Sequence, residues 1–251
     1  MENLTMSFWV IATLVFVALL FDFMNGFHDA ANSIATIVST RVLKPFQAVV
    51  WAAAFNFLAY FIFHLTVAKT IGKGTIEPSI VDHYVIFGAL IGAIVWNVIT
   101  WYYGIPSSSS HALIGGLVGA ALAKVGFSGL ITAGVLKIIA FIFIAPFLGF
   151  VIGGTIMVIV SWVCRKMPAR RVDKHFRRLQ LLSAAAYSLG HGGNDAQKTV
   201  GIIWMLLIAA GVSQTSDAAP PGWVILSCYS AMGIGTMFGG WRIVKTMGNR
   251  I

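Results

Sequence analysis

The chain has 251 residues, of which 58% are hydrophobic and only 10% are charged. A soluble domain carries roughly a quarter charged residues, and a chain of this length cannot bury so much apolar surface inside itself. The composition therefore excludes an ordinary soluble domain. It predicts an all-α, polytopic membrane protein whose excess apolar surface faces the lipid bilayer.

The positive charge of the chain is concentrated in one segment. The formal net charge is +9, and seven of the 17 lysines and arginines lie between Arg165 and Arg178, opposed only by Asp173. A short basic loop between apolar segments is typical of the cytoplasmic side of a membrane protein. We therefore interpret residues 164–180 as a cytoplasmic loop of a multi-pass protein in the inner (plasma) membrane, with a contact to anionic lipid as a secondary role. Nucleic-acid binding is not expected, because no aromatic platform accompanies these charges.

Five segments are long and apolar enough to be spanning helices. A helix needs about 20 apolar residues to cross a hydrocarbon core of roughly 30 Å, which selects residues 5–24, 46–68, 84–103, 131–163 and 223–244. Three further stretches, 25–40, 104–124 and 181–211, are apolar but interrupted by polar residues and glycines. Irregular backbone at membrane depth persists only where it is packed in protein or lines a watery cavity. We therefore expect broken helices, and functional residues, in these three stretches.

The first and third interrupted stretches resemble each other. Gly-Phe-His-Asp, which ends at Asp29, aligns without gaps on Gly-Gly-Asn-Asp, which ends at Asp195, and Lys-Thr-Ile-Gly at 69–72 matches Lys-Thr-Met-Gly at 245–248. Two matches in the same order predict a duplication, with a first repeat over 1–163 and an incomplete second repeat over 181–251. Repeats whose broken helices meet at the membrane midplane are typical of secondary transporters.

The first repeat also carries the run Pro-Ser-Ser-Ser-Ser-His at 106–111. Its counterpart in the second repeat would lie beyond Ile251. We therefore expect a longer parent sequence with a second serine-rich hairpin.

Three acidic residues lie in or beside apolar runs: Asp22, Asp29 and Asp195. An aspartate at the centre of a spanning helix costs about 2.5–3.5 kcal/mol, so each one needs an explanation. Asp29 alone is compatible with an N-cap of a following half-helix, but its repetition at Asp195 favours a ligand for a coupling cation, either sodium or a proton. The neighbouring amide side chains are candidate co-ligands: Asn25, Asn32, Asn194 and Gln197.

The four serines, Ser107, Ser108, Ser109 and Ser110, come just before a helix that we expect to begin at His111 or Ala112. A helix N-terminus presents unpaired N–H groups and a positive dipole end, and serine hydroxyls add further donors. The run is therefore a candidate site for a tetrahedral oxyanion, although an N-cap with a flexible loop has the same appearance. An anion site beside a cation site is what symport of a salt requires.

Some polar residues near these motifs have two readings. Lys198, three residues after Asp195, either pairs with that carboxylate or faces the anion. His28 and His191 flank the two motifs as packing histidines or as proton carriers, and Asn56 is a polar group in an apolar helix that must find partners. The sequence has no catalytic-triad order, no Cys/His metal spacing and no nucleotide phosphate loop. We therefore expect neither an enzyme nor a resident metal or cofactor.

At these residues the sequence resembles the inorganic phosphate transporter family. The resemblance is carried by the paired signatures at 26–32 and 192–198, by the serine run at 106–111 and by the segment 239–248. It implies inverted repeats with a re-entrant hairpin, homodimers, and symport of phosphate with sodium or protons.

His28, where relatives usually have Asn, resembles the bacterial low-affinity branch, whose members resemble proton-driven carriers of metal–phosphate complexes. A few relatives are similar but carry sulfate. A sulfate permease of the same family, and a membrane scaffold subunit that transports nothing, therefore remain the alternatives.

Overall fold

The structure is a computed structural model that describes residues 7–63, 74–214 and 219–249, and these residues are helical apart from short connections. The helices in this part of the chain are α1 (Phe8–Ser39), α2 (Pro45–Ile62), α3 (His83–Tyr103), α4 (Ser109–Val125), α5 (Thr132–Cys164), α6 (Ala169–Ala209), α7 (Gly222–Phe238) and α8 (Trp241–Asn249). Two 3₁₀ turns, Pro78–Ile80 and Gly126–Gly129, accompany them. The all-α prediction is confirmed.

Five segments of the described chain are long and apolar enough to cross a membrane: α1, α2, α3, α5 and the segment Ser109–Gly129. The polytopic prediction is therefore confirmed. The 32 residues of α1 correspond to about 48 Å at 1.5 Å per residue, so this helix extends well beyond one hydrocarbon core. Of the predicted spans, 5–24 and 46–68 are only partly within the described residues, and the Lys-Thr-Ile-Gly match at 69–72 lies outside them.

The predicted helix breaks at 25–40 and 181–211 are wrong. α1 continues without interruption past Asp29 to Ser39, and α6 continues past Asp195 to Ala209. The glycines of these stretches serve close helix packing instead. A Cβ added to Gly26 would collide with the backbone of Met232 on α7, and one added to Gly192 would collide with the backbone of Asn56 on α2. Small residues at helix interfaces let backbones approach closely in membrane proteins, and the tight packing keeps both helices regular.

The two close approaches are reciprocal. α1, which carries the first aspartate motif, packs on α7, and α6, which carries the second, packs on α2. The two glycines at these crossings, Gly26 and Gly192, are the ones that align in the sequence repeat. Each aspartate helix thus packs on a helix of the other predicted repeat, and this reciprocal packing supports the predicted duplication. Its boundaries at 1–163 and 181–251 stay a prediction.

Two other sequence expectations need correction. The segment 164–180 is mostly helix, because α5 ends at Cys164 and α6 begins at Ala169 after only four residues. Its arginines and lysines are good helix formers, and Pro168 at the N-cap is compatible with a helix start. The predicted span 223–244 is divided at Gly239, which has φ +57; α7 therefore ends before Gly239 and α8 starts at Trp241.

α3 and α4 form the serine-containing hairpin. Gly104, with φ +68, ends α3 in the left-handed conformation, and Gly116 on α4 lies directly against the backbone of Ala89 on α3. At the far end, Lys124 forms an ion pair of 2.8 Å with Asp82. Partial burial acts to raise the pKa of Asp82, but hydrogen bonds from Lys124 and from the backbone N–H of Val85 outweigh it and hold the pKa below its usual value. The depth of this hairpin in a bilayer stays a prediction.

The core of the described chain lies among α1, α3, α4, α6 and α7, with part of α2. α1 is central, because it contacts α7, α6, α3, α8 and α2. α5 differs from the other long helices, since none of its 33 residues is buried and Pro146 lies within it without ending it. The arrangement holds the two aspartate helices against each other at the centre of the bundle.

We predict that Gly192→Ala lowers the thermal unfolding temperature of the detergent-purified protein. The added methyl would force α6 away from α2, and overpacking of this kind costs about 1–3 kcal/mol. Gly190→Ala on the same helix is the matched control, because a Cβ there meets nothing within 4 Å. Since Ala favours a helix over Gly by about 1 kcal/mol, the control should be neutral or stabilised. Equal unfolding temperatures for the two variants would contradict this packing role.

Candidate functional site

Asp29 on α1 and Asp195 on α6 meet in one cluster around His191. Both carboxylates are buried, and with His191 they offer three ligand atoms within 4.8 Å of one another. His191 Nε2 lies 3.6 Å from Asp29 Oδ2 and 3.6 Å from Asp195 Oδ2. Two carboxylates and an imidazole directed at one point form a donor set that suits a proton or a divalent cation. The matched aspartates of the sequence are thus neighbours in space.

On the α1 side, a chain of hydrogen-bonding groups leads from Asp29 to the serine run. His28 Nδ1 lies 3.0 Å from Asp29 Oδ1, and His28 Nε2 lies 2.9 Å from the hydroxyl of Thr100 on α3. The Ser107 hydroxyl donates to the same Thr100 oxygen at 3.3 Å. His28 and Thr100 are both buried. His28 is therefore a bridge between the aspartate and α3.

On the α6 side, the contact with the serine run is direct. Ser110 Oγ donates to Asp195 Oδ2 at 3.1 Å, and Lys198 Nζ donates both to Asp195 Oδ1 and to Ser110 Oγ. Lys198 thus pairs with the carboxylate, as one of its two readings expects, and it also reaches the serine; that it faces an anion stays a prediction. The two carboxylates and this one ammonium leave a single net negative charge when the histidines are neutral. The cluster can therefore accept a further cation.

The serine run forms the start of α4. The helix begins at Ser109 and not at His111 or Ala112 as expected, with Ser108 as its N-cap accepting the N–H of His111 at 3.3 Å. The hydroxyl of Ser109 is completely buried and has no hydrogen-bond partner among the described residues. The helix N-terminus, with its positive dipole end, thus lies between the groups linked to Asp29 and those linked to Asp195.

A cavity of ≈ 540 Å³ adjoins this helix start. It lies between α3 and α4, and its polar lining comes from Ser107, Ser108 and His111; the remaining lining residues are Gly92, Trp96, Ala112, Gly115 and Gly116. The serine run is therefore accessible from this cavity on one side and contacts the aspartate cluster on the other.

Asp22 forms a second polar centre, two helical turns before Asp29. It is completely buried, and Asn25, Thr199 and Cys228 lie beside it. These neighbours are close enough to interact, but among the described residues none makes a hydrogen bond of good geometry to either carboxylate oxygen. A buried carboxylate without donors is costly unless it is neutralised. Asp22 therefore stays a candidate for protonation or for cation binding.

Two amide side chains that the sequence suggested as site residues lie at the interface of α6, α7 and α2. Gln197 is buried beside Tyr229 on α7. Asn56 on α2 donates from Nδ2 to the hydroxyl of Thr236 on α7 at 2.8 Å. The amide N–H of Asn56 thus finds a partner, whereas its buried Oδ1 has none among the described residues.

The remaining predicted ligands have different outcomes. Asn194 is exposed, and its Nδ2 donates to the carbonyl of Gly190 at 2.8 Å, so the structure does not bring it into the cluster. In the continuous α6, Asn194 lies on the exposed side of the helix, whereas Asp195 is buried in the bundle. Asn32 is half-buried three residues after Asp29, on the same side of α1.

Sequence analysis does not identify Thr100 or Thr199. Each lies on a different helix from the residue that it accompanies, His28 for Thr100 and Asp22 for Thr199, and far from it along the chain, so no local pattern links the two. His191 is four residues before Asp195, and once α6 is known to be helical this spacing predicts that the two share a face.

Comparisons with known proteins agree on one family. A profile described as "Phosphate transporter family" matches residues 25–171 and 164–251. A probable low-affinity inorganic phosphate transporter of Rhizobium meliloti (strain 1021) is 57% identical over 247 residues, which is 98% of this chain and 74% of that protein. One of the same name from Bacillus subtilis (strain 168) is 49% identical over 240 residues, which is 95% of this chain and 72% of that protein.

A solved structure, that of "The sodium-dependent phosphate transporter", is similar in fold. Its TM-score is 0.79 at 22% sequence identity, and the match covers 96% of this chain and 78% of that chain. At this level of identity the similarity concerns the fold alone.

We predict that Lys198→Met destabilises the protein through the charge it leaves behind. Removing one partner of a buried ion pair costs about 3–5 kcal/mol, because Asp195 would then be buried without a cation beside it. Combining Lys198→Met with Asp195→Asn should restore part of the loss, which thermal unfolding of the four proteins in detergent measures. A double variant no more stable than Lys198→Met alone would contradict the pairing.

Proposed function

The chain belongs to the phosphate transporter family, a family of transporters and not of enzymes, and on that premise we propose that it moves inorganic phosphate across the membrane together with a cation. The observation that carries this proposal is the position of the serine run at the start of α4. Ser110 contacts Asp195, and Ser107 is linked to Asp29 through Thr100 and His28. An anion on the serines would therefore lie next to both aspartates.

The phosphate ion would be held by hydroxyls, backbone N–H groups and one ammonium. Ser107, Ser108, Ser109 and Ser110 provide the hydroxyls, the first turn of α4 provides N–H groups and its dipole, and Lys198 is already within reach of Ser110. The cavity between α3 and α4 provides the approach from outside the cluster.

The two carboxylates give a physical reason for coupling. A phosphate dianion bound beside Asp29 and Asp195 meets their negative charge in a medium of low dielectric constant, where like charges repel strongly. A cation bound between them removes this repulsion. Phosphate binding and cation binding should therefore favour each other, and by thermodynamic linkage the effect is reciprocal.

The two polar centres suit different cations. Asp22, Asn25 and Thr199 offer only oxygen ligands, as a hard cation such as sodium requires, and the neighbour in fold is named for sodium dependence. The Asp29–His191–Asp195 cluster includes an imidazole and suits a proton or a divalent metal that accompanies phosphate. The second reading corresponds to a metal–phosphate complex as cargo, and the imidazole is the observation that favours it.

The carboxylates also favour phosphate over sulfate. Monohydrogen phosphate carries a P–OH donor and sulfate carries none, whereas an ionised carboxylate can only accept. A site with Asp195 in contact with the serine run therefore has an acceptor that phosphate uses and that repels sulfate. The scaffold alternative gives no reason for two buried aspartates to meet at one histidine beside the serine run.

The remaining parts of the proposal rest on the resemblance and on charge distribution. We propose a homodimer in the plasma membrane with residues 164–180 on the cytoplasmic side, in agreement with the positive-inside rule.

We predict that replacing Ser107 and Ser110 together by Ala weakens phosphate binding by more than about tenfold, because hydrogen bonds to a charged group contribute about 1.5–3 kcal/mol each. Binding of radiolabelled phosphate to the purified protein measures this. Ser128→Ala, at the exposed far end of the hairpin, is the control and should bind normally. An affinity unchanged in the double variant would exclude the serine site.

We predict that Asp22→Asn removes the stimulation of phosphate uptake by a sodium gradient. Asp29→Asn and Asp195→Asn should instead remove the dependence on a proton gradient or on divalent metal. Vesicles in which the two gradients are set independently provide the measurement, with the exposed Asp173→Asn as the control. If all three variants still depend on both gradients, the assignment of the cation centres is wrong.

Competition by excess sulfate in the same vesicles tests the choice of anion.

A further inference from the structure

The first three turns of α6 carry a basic face that the transport proposal does not use. Arg170, Arg171, Lys174, His175 and Arg178, with Pro168, line a cavity of ≈ 570 Å³. All of these residues are exposed. Arg171, Lys174 and Arg178 follow one another at spacings of three and four residues, so their side chains lie on one side of the helix.

Among the residues that the structure describes, no carboxylate forms an ion pair with this face. Asp173, the only acidic residue between 164 and 180, forms an ion pair of 3.0 Å with Arg177. Arg177 also donates to the carbonyl of Arg41 at 3.4 Å, which places this pair on the side of α6 toward the end of α1. The neutralising carboxylate is thus held away from the cavity. The positive-inside rule depends on the number of charges and does not explain this separation.

The cavity lies at the end of a spanning helix. α5 ends at Cys164, and near its end Trp162 is exposed with the guanidinium of Arg165 at 4.9 Å from its ring centroid. Tryptophan is enriched where a spanning helix leaves the hydrocarbon for the headgroups. The basic face begins within two turns of Trp162, so a tryptophan at the level of the headgroups would place this face near the lipid phosphates.

The basic face changes to an apolar one farther along the same side of α6. Leu182 follows Arg178 by one turn and is 66% exposed. A phosphate group bound by Arg171, Lys174 and Arg178 would therefore have apolar surface next to it. A phospholipid has a charged headgroup followed by apolar acyl chains. It therefore matches a protein surface on which positive charge is followed by exposed apolar side chains. A free phosphate ion has no apolar part that could contact Leu182.

We propose that this face binds the headgroup phosphate of an anionic phospholipid. Guanidinium groups donate in pairs to phosphate oxygens, and the dipole at the start of α6 acts in the same direction. The site is separate from the proposed transport site, because Lys174 precedes His191 by 17 residues, or about 25 Å along the helix. Lipid binding here fixes the depth at which α6, and with it Asp195, lies in the membrane.

The test compares two triple variants of the whole chain. Arg171→Gln, Lys174→Gln and Arg178→Gln remove the basic face; Lys44→Gln, Lys137→Gln and Lys245→Gln remove as many exposed positive charges elsewhere. Retention of dioleoyl phosphatidylglycerol by the detergent-purified protein is measured by native mass spectrometry. Each charge contributes about fivefold near an anionic surface, so the first variant should bind at least tenfold more weakly, with the control within about twofold of the unaltered protein.

Two further probes decide between lipid and free anion. Phosphatidylcholine, whose headgroup is neutral overall, should bind equally to all three proteins, and glycerol 1-phosphate at millimolar concentration should not displace phosphatidylglycerol. Displacement by glycerol 1-phosphate would identify a site for soluble phosphate compounds and overturn the lipid proposal. Equal loss of phosphatidylglycerol in both triple variants would overturn it as well, since the effect would then come from overall charge. Because no probe is transported, failure here leaves the transport proposal unaffected.

Discussion

Two buried carboxylates on neighbouring helices are the constraint on which the rest of this structure depends. Asp29 and Asp195 carry like charges within reach of one imidazole, and each has its own hydrogen-bonding partner: His28 for Asp29 and Lys198 for Asp195. The helices that carry them are held in the bundle by glycines that allow direct backbone contact with α7 and α2. Glycine weakens a helix locally by about 1 kcal/mol, but here it permits the approach that defines the cluster. Packing, electrostatics and the proposed site therefore follow from the same few positions.

The hairpin of α3 and α4 completes this arrangement by bringing donors to the acceptors. Its serines contact the aspartate cluster at two points, directly through Ser110 and indirectly through Thr100 and His28. Hydroxyl groups suit this position because they donate to a carboxylate when the site is empty and to an anion when it is occupied. The same hydroxyls would thus exchange partners during binding. Such an exchange links occupancy of the anion site to the charge state of the aspartates, which is how a fixed set of side chains can couple two ions.

The sequence predicted the chemistry of this site better than its geometry. Asp29, Asp195 and the serine run were recognisable because charged and hydroxylated residues are costly or unusual in apolar segments, and the structure brings them together. The helix breaks were wrong because a glycine in the sequence does not reveal whether it interrupts a helix or accommodates a neighbour; Gly26 and Gly192 do the second. That error placed Asn194 in the site, whereas a continuous α6 turns it outward. Thr100 and Thr199 were not predicted because their roles depend on distant helices. The basic segment 164–180 was recognised by composition, but its separation into a paired and an unpaired side appears only in the folded helix.

In the proposed transport cycle, the cation and phosphate occupy adjacent sites and stabilise each other. Thermodynamic linkage requires the effect to be reciprocal: if a saturating cation raises phosphate affinity by some factor, saturating phosphate must raise the affinity for that cation by the same factor. Calorimetric titration of the purified protein with phosphate at several sodium concentrations and pH values, and then with the cation in the presence and absence of phosphate, measures both factors. We predict equal factors of at least about fivefold, the lower end of typical coupling. Phosphate binding that is independent of sodium, of divalent metal and of pH would contradict the account.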